Sequence, residues 1–378
     1  MIDHFEVHIP ASRVEDVIER VQKYKPPRLC ANAGWSLGVD SEFFKNLIAY
    51  WKDGYNWQNC EECLAGYVHR ITHINGRRIH FVHLSPGRGV PIMLLHGWPY
   101  SFLTMLPLAE RLSQDFEVIV PSLPGFGLSE PMANKADSVC QLAKTVNTLM
   151  SEKLGFKQYV VHGGDVGAEI GDWIAVDQPE SLLGLHTHFL HLRHHGAVMG
   201  SGLTGVSNAD KEEMEFVSRE ASALVNEGAY YNLQITKPES IAYALSDSPV
   251  GWAAYMIDKW HSWSDLGQND IEALYGMDRL LNEAMLYLLT GSVSTSLWVY
   301  PGYASGAVTL GPGQMIDVPY GFSAFPDPLI PPPPKQFAAR SRSNIRFWRE
   351  HNAGGHFPML EQTSVLAKDI KDFVTTVS

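Results

Sequence analysis

The chain has 378 residues, 45% of them apolar and 19% charged, which is enough for one large catalytic domain carrying an insertion and an added N-terminal piece, and too apolar for a disordered chain. Twenty-nine Lys and Arg stand against 41 Asp and Glu, and the net charge of −12 argues against non-specific binding to nucleic acid or to an anionic membrane surface. Four cysteines, Cys30, Cys60, Cys63 and Cys140, are too few and too scattered for a disulfide framework, no stretch approaches membrane-spanning length, and the N-terminus lacks the basic and apolar regions of a secretion signal, so a soluble cytoplasmic protein is expected.

In chain order, a helix is predicted from Ser12, with Ser12 and Glu15 as a capping pair, Val14, Val17, Ile18 and Val21 on one face, and Pro26-Pro27 ending it. A second helix from Ser41 carries the apolar stripe Phe43, Phe44, Leu47, Ile48 and Trp51. Cys60-Glu-Glu-Cys63 falls in a segment, Tyr55 to Gly66, that reads as helix; without a second cysteine pair it is structural rather than a metal or redox site. His69 to His83 reads as two strands around an Asn75-Gly76 turn, its four histidines on the surface or half-buried.

Pro91 to Leu95 is a continuous apolar strand, and Phe116 to Val120, Tyr159 to Val161, Leu182 to Leu185 and Ile345 to Trp348 repeat that form between helical patterns. The alternation predicts an α/β protein with a doubly wound, mostly parallel sheet whose ligand sits at the C-terminal ends of the strands. From Ser207 to about Leu289 only helical patterns occur, as expected of a helical lid inserted into the sheet domain. Trp252, Met256, Trp260 and Trp263 in that insertion could line a pocket, but such a cluster at helical spacing more often makes core. His186, His188, His191, His194 and His195 precede the insertion and lack acidic companions at useful spacing, so no metal is expected there. Pro331 to Pro334 is a stiff loop between a strand-like segment, Met315 to Pro319, and the strand at Ile345.

The chemistry centres on Gln158-Tyr-Val-Val-His-Gly-Gly-Asp-Val-Gly167, where a buried strand meets a helix carrying Val166, Ile170, Trp173 and Ile174. Gly163 and Gly167 lie two residues either side of Asp165, the small-x-nucleophile-x-small pattern of a strained turn that pushes one side chain out above a sheet. A lone Asp at such a turn is more often a helix cap than a nucleophile. The rest of the constellation favours a nucleophile that stays ionised at the helix N-terminus and attacks carbon. His356, on the Ala353-Gly-Gly-His-Phe-Pro358 loop, is the candidate base for a second half-reaction. In α/β-hydrolases the acid stands between nucleophile and His, which points to Asp327, and the oxyanion donors are the N–H groups of Trp98, in His96-Gly-Trp-Pro99, and Val166.

The motifs His96-Gly-Trp-Pro99, Gly163-Gly-Asp-Val-Gly167, Ser248-Pro-Val-Gly251, Gly321-Phe-Ser-Ala-Phe-Pro326 and Gly354-Gly-His-Phe357 together closely resemble the microsomal-type epoxide hydrolases, over nearly the whole chain. The resemblance implies an α/β-hydrolase fold with a helical lid and an N-terminal wrapping domain, divided as an N-terminal meander over 1–88, the first part of the core over 89–195, the lid over 196–290 and the second part of the core over 291–378. It implies conversion of a small-molecule epoxide and water to a vicinal diol through an alkyl ester on Asp165, with no cofactor, and two lid tyrosines on the epoxide oxygen that map to Tyr230 and Tyr300. Tyr231 and Tyr303 are close neighbours of that pair. The family places its acid two residues after the Phe-Pro pair, where this chain has Pro328, so either the loop is shifted to Asp327 or another carboxylate such as Asp317 serves. Val166 stands where the family commonly has Trp. Mammalian members also carry an N-terminal membrane anchor, whereas this chain is expected to begin with the soluble part; a homodimer is allowed for. The alternatives are a haloalkane dehalogenase, which needs a halide donor that Val166 lacks, and a non-catalytic member of the fold, in which Asp165 or His356 would be lost.

Overall fold

A computed structural model describes residues 1–30, 32–131, 139–202, 204–305 and 308–378. Among these residues the apolar runs form β1 (Ile2–His4), β2 (His69–Ile74), β3 (Arg77–Leu84), β4 (Pro91–Leu95), β5 (Glu117–Pro121), β6 (Tyr159–Gly163), β7 (Leu182–Thr187), β8 (Tyr320–Ala324) and β9 (Ile345–Glu350), joined in one sheet in the order β1-β2-β3-β5-β4-β6-β7-β8-β9. From β5 to β9 every pairing is parallel, while β1, β2 and β3 add an antiparallel edge. Every residue of β5, β6 and β8 is buried. Strands covered on both faces cannot afford alternation, which is why they read as unbroken apolar runs. The β2-β3 turn uses Asn75 and Gly76 at φ of 51° and 76°, the left-handed pair that a two-residue hairpin requires.

Strand order reverses at β4, which lies between β5 and β6. The loops leaving β4 and β6 therefore diverge and open a crevice at the strand C-termini, the place where open α/β sheets bind ligands.

Three expectations need correction. The helix expected from Ser12 spans Ala11–Gln22 with Pro10 at its N-cap, and no side-chain cap forms, so the Ser12 and Glu15 pair does not act as predicted. A proline there presets the chain and lets the helix begin one residue earlier. The strand-like Met315 to Pro319 contributes only an isolated bridge, Ile316 to Arg342, and the sheet strand follows at β8. Gly321 and Ser323 had masked that strand, because they interrupt the apolar run. Finally, His69 and His80 are buried, 2% and 0% exposed, rather than on or near the surface. They form a chain in which His69 Nε2 meets the Leu64 carbonyl at 2.9 Å, the two rings meet at 2.9 Å, and His80 Nδ1 meets Ser122 Oγ at 2.9 Å. Each nitrogen is satisfied, so burial of the rings is tolerable.

Helices fill the segment between β7 and β8, from Lys211–Glu227 to Val299–Ser305, so the helical run continues past Leu289. Trp252, Met256, Trp260 and Trp263 are all 0% exposed and pack as core. The N-terminal helices hold this segment through its Met277–Thr290 helix: Tyr50 donates to Asp278 at 2.7 Å, Tyr55 to Asn282 at 2.8 Å, and Arg13 to the Leu289 carbonyl at 3.0 Å. Arg342 and Asp172 form a fully buried ion pair, and Arg342 also donates to the Leu192 carbonyl at 2.8 Å. Asp172→Asn leaves the guanidinium uncompensated in the core, so it should destabilise the protein by about 3–5 kcal/mol in denaturant unfolding. A loss of under about 1 kcal/mol would show that Arg342 finds other support.

Candidate active site

Asp165 begins the helix Asp165–Asp177 directly after β6, at φ 49°. A side-chain-bearing residue pays roughly 1–2 kcal/mol for that conformation, and the gain is position: the carboxylate projects from the turn. The turn is tight enough that a Cβ on Gly163 would lie 2.5 Å from the Gly167 carbonyl oxygen, which is why glycines flank it. Gly97, at the end of β4, is equally constrained, because a Cβ there would strike the Asp165 carboxylate itself.

The loop after β4 brings the Trp98 N–H to 2.9 Å from Asp165 Oδ1, and the Val166 N–H also supports the carboxylate. The loop is pinned from both sides. Leu123 N donates to His96 Nε2 at 3.0 Å, while Trp260 Nε1 donates to the Pro99 carbonyl at 3.0 Å and the Tyr287 hydroxyl to the Tyr100 carbonyl at 2.7 Å.

His356 is 0% exposed, on a loop anchored by its own N–H to the Trp263 carbonyl at 2.8 Å. Its Nδ1 meets Asp327 Oδ2 at 2.7 Å, and its Nε2 lies 3.6 Å from Asp165 Oδ2, too far for a hydrogen bond but close enough for charge attraction. The other oxygen of Asp327 accepts from the backbone of Leu329 at 2.8 Å and Ile330 at 3.2 Å, so the carboxylate cannot swing away. Asp317 is exposed and bonded to Ser343, away from His356. Burial opposes a charge on His356, but the two carboxylates override it and raise the group to about 10. Asp165 moves the opposite way. Burial would raise it, yet His356 and the Trp98 and Val166 N–H groups together lower it.

Tyr230 and Tyr300 reach the site from the helices Ala229–Thr236 and Val299–Ser305. Tyr230 stacks on Trp98 with ring centroids 5.3 Å apart, Tyr300 meets the same indole edge-on at 5.8 Å, and the two phenols are 6.2 Å apart. Burial and the nearby Asp165 charge push both phenols well above their ordinary value, so they stay protonated and can donate. A cavity of about 590 Å³ joins Asp165, Val166, Tyr230 and Tyr300, with Tyr231 and Tyr303 also in its wall. Its remaining lining, including Met199, Leu224 and Val308, is largely apolar. Sequence reasoning passed over Glu169, which stands four residues after Asp165 on the same helix face, and weighed His191 only as a metal ligand.

A projected carboxylate on a strand-to-helix turn, a His and acid pair, two facing N–H donors and a helical cover define an α/β-hydrolase. A family described as alpha/beta hydrolase fold matches residues 90–189, and one described as Epoxide hydrolase N terminus matches residues 2–105. Epoxide hydrolase 1 of Sus scrofa is 32% identical over 401 residues, covering 98% of this chain and 88% of that protein. Among solved structures, the epoxide hydrolase of Aspergillus niger superposes with a TM-score of 0.85 at 28% identity, covering 100% of this chain and 97% of that one. The juvenile hormone epoxide hydrolase of the silkworm Bombyx mori gives 0.87 at 26% identity, covering 100% and 95%. The chain belongs to the epoxide hydrolase family. Among its described residues no helix is long and apolar enough to cross a membrane.

Proposed function

We propose that this epoxide hydrolase opens its substrate in two covalent steps. Asp165 attacks a ring carbon while Tyr230 and Tyr300 donate to the departing oxygen, leaving an alkyl ester on the enzyme. His356, oriented by Asp327, then deprotonates a water that attacks the ester carbonyl, and the N–H groups of Trp98 and Val166 hold the oxyanion. The product is a vicinal diol. The observation that supports this reading is that the Asp165 carboxylate lines one cavity with both phenols while it accepts from the Trp98 N–H at 2.9 Å and lies 3.6 Å from His356 Nε2.

The charges also supply a switch between the steps. In the free enzyme His356 holds its proton between two carboxylates and cannot serve as a base. Esterification removes the Asp165 charge, so the pKa of His356 falls and the imidazole can accept a proton from water when that is required.

Asp327→Asn tests the assignment of the acid. Loss of the orienting charge should slow ester hydrolysis by roughly 10²-fold or more in rapid-quench experiments and leave ester formation much less affected. Unchanged hydrolysis in Asp327→Asn, with failure of Asp317→Asn, would move the role to Asp317.

A further inference from the structure

The cavity wall does not end at the two tyrosines assigned to the epoxide oxygen. Ring contacts continue from Tyr300 to Tyr303 at 5.9 Å and from Tyr303 to His191 at 5.4 Å, and both residues line the same cavity as Asp165. Behind them stands Glu169, 1% exposed, one helical turn beyond the nucleophile. The Tyr303 hydroxyl hydrogen-bonds to it, and Trp173 Nε1 approaches its Oε1 at 3.4 Å. Its Oε2 faces His191 Nδ1 at 3.3 Å; the two atoms are not aligned as a hydrogen bond, and both are sealed from solvent with no other partner among the described residues. Two buried polar atoms so placed are most stable with a proton shared between them. The two-step reaction uses none of these groups.

We propose that Glu169, His191 and Tyr303 form a polar recognition station at the far end of the substrate cavity, which binds an uncharged oxygen acceptor, an ether or carbonyl oxygen, carried by the epoxide a few bonds from its ring. This rests on the assignment of the cavity as the epoxide site. Proton placement fixes the station as a donor. Burial pushes the Glu169 carboxyl up to about 8, and burial followed by the Arg193 charge holds His191 down at about 4, so near neutral pH an uncharged acid faces an uncharged imidazole. The acid keeps its proton and, with a small turn of either side chain, donates it to His191 Nδ1 as acceptor; the ring's single hydrogen then sits on Nε2, and that N–H is available to the cavity. Glu169 is a positioning residue that acts through His191. Ionising Glu169 reverses the tautomer: the carboxylate accepts from Nδ1–H and Nε2 becomes an acceptor. The charged and titratable groups facing the pair are Asp165 and Asp172 on the elbow helix, Tyr231 and Tyr303 on the covering helices, and Arg193, Glu220 and Arg342 around His191.

The test compares ethers with hydrocarbons. Linear epoxides with one ether oxygen placed successively along the chain, beginning with butyl glycidyl ether, are each measured against the epoxyalkane of equal length. At one oxygen position the wild type should favour the ether about tenfold in kcat/KM, mostly through KM, which is the worth of one net hydrogen bond. His191→Phe, which keeps the stacking, and Glu169→Leu should lose the preference and still turn over the hydrocarbon. Glu169→Gln should retain it, because the amide N–H can donate to Nδ1. Between about pH 6.5 and about pH 9 the wild-type ratio should fade through Glu169 ionisation, whereas the ratio for Glu169→Gln should stay level. A ratio near one at every oxygen position, a preference surviving His191→Phe, or a wild-type ratio flat with pH would overturn the proposal. Absence of hydrocarbon turnover by the wild type would instead overturn the assignment of the cavity.

Discussion

His356→Gln should convert the protein from a catalyst into a trap. On the proposed two-step route ester formation needs Asp165 and the phenols, all of which the variant keeps, and Trp98 still holds Oδ1 from the loop after β4. Hydrolysis needs a base where Nε2 now lies, 3.6 Å from the Asp165 carboxylate, and a glutamine amide cannot take a proton from water. Turnover should therefore fall by about 10³-fold or more, in the range seen when a triad base is removed. Intact-protein mass should rise by the mass of the substrate within one turnover. Asp165 should lose some of the depression of its pKa, because the His356 charge lowers it in the wild type, but Trp98 and Val166 still donate to it, so it stays ionised at neutral pH. An inactive His356→Gln that never gains mass would mean that His356 is needed before the ester, not after it.

Tyr230 and Tyr300 should be close to interchangeable singly and indispensable together. Both rings rest on Trp98 and both line the cavity with Asp165, so either phenol alone can still donate to the oxygen as the C–O bond breaks. Each Tyr→Phe change should cost roughly 10²-fold in the alkylation rate, the range for one positioned acid, and the double variant should be close to inactive. The effect should fall on alkylation and spare hydrolysis of an ester already formed. Full activity in Tyr230→Phe would transfer its role to Tyr231, which meets Tyr300 at 5.9 Å and also lines the cavity.

Much of this arrangement was legible in the residues because backbone constraints leave strong local signatures. Glycines either side of Asp165 announce a turn that no side chain could occupy, and the unbroken apolar runs announce strands covered on both faces. What could not be read is where distant segments meet. Strand β8 hid because Gly321 and Ser323 break its apolar run; Ser323 is satisfied by distant partners, Asp369, 46 residues on, at 2.6 Å and His186 at 3.2 Å. Burial of His69 and His80 depends on Leu64 and Ser122 closing the chain at either end, a fact of packing rather than pattern. Asp327 and Asp317 were indistinguishable by order along the chain; the difference is that the backbone N–H groups of Leu329 and Ile330 hold Asp327 against His356. Glu169 was missed for the same reason. Its helical spacing from Asp165 was visible, but its neighbours His191 and Tyr303 come from two other segments.

The account stands or falls on covalent attack by Asp165, and one oxygen atom decides it. With enzyme in excess over epoxide in heavy-oxygen water, a single turnover should give unlabelled diol and leave the label in the peptide that carries Asp165, because the new diol oxygen comes from the carboxylate and water replaces it during hydrolysis. Label in the diol of that first turnover, with none in the peptide, would show direct attack by water and reduce Asp165 to a general base.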